Sequence, residues 1–152
     1  MKITALIAEG KGKRLYATEN PDEAVIYYRD ETFAFHGLKR GRIIGKGHNM
    51  TERLNDPTAH AEMIAITAAT EAMGGKYLSD CTLYVTVEPC PMCAGALAWS
   101  QIGRVVYGAS DPKRGFSQFS PSLMHPKTEV VSGVLAEECG GMVTEFFRNK
   151  RK

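Results

Sequence analysis

The spacing of apolar and polar positions changes along the chain. Near the start, Arg14-Leu15-Tyr16-Ala17-Thr18, Ala24-Val25-Ile26-Tyr27-Tyr28 and Thr32-Phe33-Ala34-Phe35-His36 are short runs rich in β-branched and aromatic residues. Asn20-Pro21-Asp22 and Arg29-Asp30-Glu31 separate them. Such runs between turn formers predict short strands in an antiparallel meander, which Ile43-Ile44 continues. Beyond Asp56-Pro57-Thr58 the period lengthens: Ile64, Ala65, Ala68 and Ala72 recur at helical spacing and predict a helix ending near Gly74-Gly75. A strand from Thr82 to Val87, a helix from Pro91 to about Ser100, a strand from Arg104 to Tyr107 and a short strand at Glu129-Val130-Val131 follow. Strands alternating with helices imply parallel pairing. Leu135, Cys139, Met142, Val143 and Phe146 make an apolar stripe on a last helix, expected to face the core.

With 152 residues, 43% hydrophobic and 24% charged, the chain suits one globular domain with a core large enough to fold unaided. No apolar run is long enough to span a bilayer, so no membrane association is expected. Met1-Lys2-Ile3-Thr4-Ala5-Leu6-Ile7-Ala8 is followed by charge and glycine, not by a secretory cleavage region, and cytoplasmic residence is the expectation. A net charge of +2 makes no whole-molecule case for nucleic acid. Locally, Arg148, Lys150, Arg151 and Lys152 cluster beyond Phe146-Phe147, and Lys113-Arg114 follows the Arg104 strand. Both groups suit phosphate, although cations at a helix C-terminus also simply favour its dipole.

The chemistry lies in His60-Ala61-Glu62 and Pro89-Cys90-Pro91-Met92-Cys93. One imidazole and two thiolates make three ligands, which leaves the fourth position of a tetrahedral zinc open to water; a structural zinc normally closes all four. Cys90 and Cys93 lie one helical turn apart, and Pro91 suits the first helical position, so a helix starting there can aim both sulfurs at one ion. The positive end of that helix favours thiolate, and the metal favours it more. His60 and Glu62 fall in the first turn of the other helix. Residues two apart do not share a helix face, so His60 can bind metal while Glu62 leans toward the water and substrate. Zinc lowers the pKa of such a water to about 7, and a nearby carboxylate can pass its proton to a leaving nitrogen. H-x-E…P-C-x-x-C is the pattern of zinc-dependent nucleobase deaminases. Cys81 and Cys139 are expected to pack, not to pair, and His36, His48 and His125 have no ligand partner at useful spacing.

From about Ile43 onward the chain resembles bacterial tRNA-specific adenosine deaminases and their nucleoside deaminase relatives. The resemblance includes Gly45-Lys46-Gly47-His48-Asn49, Asn55-Asp56-Pro57-Thr58-Ala59-His60-Ala61-Glu62, Leu83-Tyr84-Val85-Thr86-Val87-Glu88-Pro89-Cys90 and Ile102-Gly103-Arg104-Val105-Val106-Tyr107-Gly108-Ala109. It implies a cytidine deaminase-like three-layer α/β/α fold with a mixed sheet, a homodimer, and conversion of adenosine to inosine in tRNA, with no implication of DNA. It also implies zinc on His60, Cys90 and Cys93, proton transfer by Glu62, and Asn49 hydrogen-bonded to the flipped base or its ribose. Asn49 equally suits a turn at a strand end.

Residues 1–42 depart from that family, whose amphipathic first helix and pocket-lining strand are replaced here by the β pattern. Glu9-Gly10-Lys11-Gly12-Lys13-Arg14-Leu15-Tyr16-Ala17-Thr18 and Thr32-Phe33-Ala34-Phe35-His36-Gly37 resemble instead the N-terminal segment of phosphoribosylaminoimidazole-succinocarboxamide synthase. The reading is a chimera: residues 1–42 as a synthase-like β segment that is not an independent domain, and 43–152 as a zinc-dependent deaminase domain. ATP binding by the short segment alone is not expected. A strand from Ala24 to Tyr28 or Thr32 to His36 is expected to take the sheet position of the missing strand. Two alternatives stay open: deamination of a free base or nucleoside such as guanine or cytidine, and a zinc-binding chimera impaired in catalysis.

Overall fold

The computed structural model describes residues 3–10, 13–18, 24–28, 31–34, 39–119 and 123–150, with side chains from residue 42 onward. They fall into two compact units, one of the described residues up to Ile43 with Asn149 and Lys150, the other Ile44–Arg148. In the first, β1 (Ile3–Gly10), β2 (Lys13–Thr18) and β3 (Ala24–Tyr28) form an antiparallel sheet in the order β1-β2-β3. A separate antiparallel pair joins β4 (Glu31–Ala34) to β5 (Lys39–Arg42). The antiparallel character and the positions of β2 and β3 match the sequence expectation. Asn20-Pro21-Asp22, Arg29-Asp30, Phe35-His36 and Gly37 lie outside the described residues.

In the second unit α1 (Thr51–Leu54), α2 (Ala61–Met73), β6 (Thr82–Val87), α3 (Pro91–Trp99), β7 (Arg104–Ala109), a 3-10 turn at Phe116–Gln118, β8 (Glu129–Val131) and α4 (Ala136–Lys150) follow in order. The α2 helix stops where the sequence predicts. Gly74 takes φ +64°, and its N–H and that of Gly75 donate to the Glu71 and Thr70 carbonyls at 3.0 and 3.1 Å. A left-handed glycine after the last turn is a common helix stop because it carries no Cβ penalty.

The sheet is three-stranded, in the order β6-β7-β8, and parallel throughout. This confirms the parallel pairing implied by the alternation of strands and helices and corrects the expected mixed sheet. Parallel neighbours need a crossover to bring the chain back to the same end, and α3 provides it between β6 and β7. A neighbour in the place of the missing strand was expected from Ala24 to Tyr28 or Thr32 to His36. Instead β3 pairs with β2, β4 pairs with β5, and Ile43-Ile44 lies in no strand.

Val105, Val106 and Tyr107 of β7 are buried, as a central strand requires, and Val105 and Tyr107 belong to the core with Leu78, Leu97 and Phe116. The α4 stripe corrects a second expectation: no residue of that helix is buried, and Met142 and Phe146 are both 38% exposed. Cys139 makes the close approach, against Gly108 of β7, where any side chain would collide with the Cys139 Sγ. Of the rest of the stripe Val143 is half-buried, and Leu135, Met142 and Phe146 are exposed. No helix among the described residues is long and apolar enough to cross a membrane.

Candidate metal centre

Two helix starts build the site. His60 is the residue before α2 and Cys90 the residue before α3; both have extended backbone, at φ −70°, ψ 157° and φ −71°, ψ 167°. That position normally favours Ser, Thr, Asp or Asn, whose oxygen accepts from a free N–H of the first turn. Neither His60 nor Cys90 caps its helix with its side chain. Both side chains turn toward one point, and capping is given up for convergence. Pro91 occupies the first turn of α3, as its fixed φ and missing N–H allow. One turn on, Cys93 is wholly buried and completes the group.

The His60 Nδ1 lies 3.6 Å from the Cys90 Sγ and 3.6 Å from the Cys93 Sγ. All three ligand atoms lie within 4.8 Å of one another, the only such metal-holding group of His, Cys, Asp and Glu among the described residues. A tetrahedral ion with Zn–S near 2.3 Å and Zn–N near 2.05 Å sets nitrogen and sulfur about 3.6 Å apart. The observed separations fit that edge, and the donor set of one imidazole and two sulfurs is one that zinc accepts.

Glu62, in the first turn of α2, is 9% exposed. Burial first, then the charges of Glu62 and Cys90, push the Cys93 thiol well above its ordinary value when no metal is bound. The Glu62 carboxylate is thus one of the charges that the Cys93 thiol feels. A cation at the group would reverse that effect, since a coordinated thiol is deprotonated outright.

Asn49 lies just before α1. Its Oδ1 accepts from the Thr51 N–H at 3.0 Å and the Thr51 hydroxyl at 2.7 Å. A backbone N–H can only donate, so the amide oxygen faces Thr51 and the side-chain NH₂ faces away. The Met50 N–H donates to the Ala59 carbonyl at 2.9 Å, which ties this segment to the residue before His60. Upstream, the chain runs tight against α2: a Cβ on Gly45 would lie 2.7 Å from the Ala65 carbonyl oxygen, and one on Gly47 would collide with that of Ala61.

Lys113 and Arg114 are exposed in the loop after β7. The Asp111 Oδ1 accepts from both of their N–H groups, at 2.9 and 3.0 Å, and fixes the turn that presents them. Arg148 and Lys150 are exposed at the end of α4; Arg151 and Lys152 lie outside the described residues. His48 and His125 take no part in the metal-holding group, and His36 lies outside the described residues. Sequence reasoning missed Glu88, which is 4% exposed. Its one visible signal is a lone acid between a strand and the Cys90 ligand.

Residues 15–109 match the family model described as the cytidine and deoxycytidylate deaminase zinc-binding region. The tRNA-specific adenosine deaminase of Bacillus subtilis (strain 168) is 50% identical over 117 residues, covering 74% of this chain and 73% of that protein. The one from Haemophilus influenzae is 47% identical over 115 residues, covering 72% and 66%. A solved structure from a study of A-to-I editing by tRNA:A34 deaminases at the wobble position of transfer RNA superposes with a TM-score of 0.62 at 42% identity, over 67% of this chain and 78% of that one. A solved structure of NE0047 in complex with 2,6-diaminopurine gives 0.58 at 25% identity, over 71% and 65%.

Proposed function

The chain belongs to the cytidine and deoxycytidylate deaminase zinc-binding family, and on that premise we propose that it is a zinc-dependent hydrolase converting adenosine to inosine in tRNA. The observation that carries the reading is the convergence of His60 Nδ1 with two cysteine sulfurs at 3.6 Å, with Glu62 buried in the helix that His60 precedes. Substrate choice follows the relatives, since the tRNA-specific enzyme of Bacillus subtilis shares half of the aligned residues.

His60, Cys90 and Cys93 would hold the zinc, which when bound would supply Lewis acidity and lower the pKa of water there to about 7. Glu62 takes a proton from the attacking water and returns it to the nitrogen leaving carbon 6, so that water is consumed, the C–N bond breaks and ammonia departs. Its burial keeps bulk solvent from competing for that proton. The reacting base must leave its stack to reach the site. Asn49, its oxygen held by Thr51, donates its amide hydrogens to that base or its ribose. Lys113, Arg114, Arg148 and Lys150 meet phosphates, a sequence-independent attraction that falls with salt.

Residues 1–42 are read as a synthase-like β segment and 43–152 as the deaminase domain, in a three-layer α/β/α fold. Cytoplasmic residence and a homodimer complete the reading. Support for the homodimer comes from α3, where Trp99 is 86% and Met92 37% exposed, seven residues apart on one helix face. A second reading, deamination of a free purine, is favoured by the fold shared with the chain complexed with 2,6-diaminopurine. Purified zinc-loaded protein offered tRNA, adenosine, guanine and cytidine separates these. Inosine formed in tRNA supports the main reading, and turnover of small substrates alone rejects it. Zinc retained with no turnover at all identifies a catalytically impaired chimera.

A further inference from the structure

Glu88 is the buried carboxylate that the mechanism leaves unused. It closes β6, two residues before the Cys90 ligand, and it lies inside the loop that carries Lys113 and Arg114. The Asp111 N–H donates to its Oε2 at 3.0 Å and the Ser117 N–H to its Oε1 at 2.9 Å. One carboxylate thus grips both ends of residues 111–117. Two backbone contacts close the same junction: the Glu88 N–H donates to the Ala109 carbonyl at 2.8 Å, and the Phe116 N–H to that of Pro89 at 2.9 Å. The loop passes so near that a side chain on Gly115 would collide with the Glu88 carboxylate. Phe116 anchors the far side, buried edge-on against Tyr107 with ring centroids 6.2 Å apart.

We infer that Glu88 is a positioning residue for the RNA backbone: it fixes the Lys113-Arg114 turn in register with the metal ligands, so that phosphate binding and base placement share one rigid frame. The inference rests on the tRNA reading above. Its physical basis is the cost of burying a carboxylate, which is tolerable when backbone N–H groups take both oxygens. Position and charge predict opposite signs here. Removing a negative charge near a phosphate-binding turn should tighten RNA binding if only the field matters. Loss of the grip should weaken it.

Glu88→Gln keeps the shape but turns one gripping oxygen into an NH₂, which faces a backbone N–H, donor against donor. Measured on zinc-loaded protein at fixed salt, Kd and KM for a tRNA anticodon stem-loop should rise about tenfold. The kcat should stay within about twofold and zinc stoichiometry should not change. The same substitution in a Lys113→Ala/Arg114→Ala background should change Kd by less than about twofold, because the pair it positions is gone. An equal loss in both backgrounds, tighter binding by Glu88→Gln, or loss of zinc would overturn the inference. Should Glu88→Gln not accumulate folded, Gly115→Ala pushes the loop off an intact Glu88 and carries the same expectation. Wild-type protein that binds no RNA sinks the substrate reading itself, an outcome distinct from wild-type binding without this coupling.

Discussion

Replacing Gly47 with alanine would set a methyl group against the first turns of α2. The added Cβ would collide with the Ala61 carbonyl oxygen and lie 2.8 Å from the Ala65 nitrogen. Ordinary contact is about 3.5 Å, so the segment must retreat from the helix by upward of ~0.7 Å. That displacement has nowhere harmless to go, because the Met50 N–H is bonded to Ala59 and Asn49 is fixed by Thr51. Either His60 moves with its helix start or Asn49 moves away from it. Overpacking of this kind costs about 1–3 kcal/mol, and each kcal/mol lowers the melting temperature of a chain this size by roughly 2–4 °C. Activity should suffer more, since a shift near 1 Å at a reacting group can cost on the order of 10²-fold. Scanning fluorimetry and kcat/KM on tRNA read both effects. Gly75→Ala is the control, because a Cβ there meets nothing within 4 Å. If Gly47→Ala melts and turns over like wild type, the close approach of this segment to α2 is wrong.

Glu62→Gln should retain stoichiometric zinc while kcat falls by about 10²–10⁴-fold, the usual share of a general acid and base; unchanged turnover would remove Glu62 from the mechanism. Because burial and neighbouring charge hold the Cys93 thiol protonated in the metal-free protein, zinc binding must displace a proton there. Apparent zinc affinity, measured by chelator competition, should therefore rise between about pH 6 and 8, and a flat profile would count against thiolate ligation. Gly95 lies inside α3 with open space where a Cβ would stand, so Gly95→Ala should stabilise the isolated chain by about 0.5–1 kcal/mol. A loss of stability in thermal melts would mean that something covers that face.

The catalytic unit was legible wherever residue type dictates backbone. Pro91 marked the start of α3, Gly74 the end of α2, and the alternation of strands and helices foretold the parallel pairing of β6 with β7. Residue type and spacing in the H-x-E…P-C-x-x-C pattern named His60, Cys90 and Cys93, since a metal group depends on few residues, and the fold brings the three together. Pairing over long distances was not legible. Ala24 to Tyr28 reads as a strand, but nothing in its composition names the neighbour it takes, and that neighbour is β2. The periodicity of α4 reports that one face is apolar, not what covers it, and its residues stand largely in solvent. Glu88 was invisible for a related reason: an acid between a strand and a proline is unremarkable until residues 111–117 fold over it. Asn49 was read for two roles, and its geometry accommodates both, with the oxygen shaping a turn and the amide hydrogens turned elsewhere.

Zinc-edge X-ray absorption on the purified protein tests the central claim most directly. The account predicts one zinc per chain, with two sulfurs near 2.3 Å and the remaining positions filled by nitrogen or oxygen near 2.0–2.2 Å. A shell of four sulfurs, or protein that binds no zinc, would contradict it.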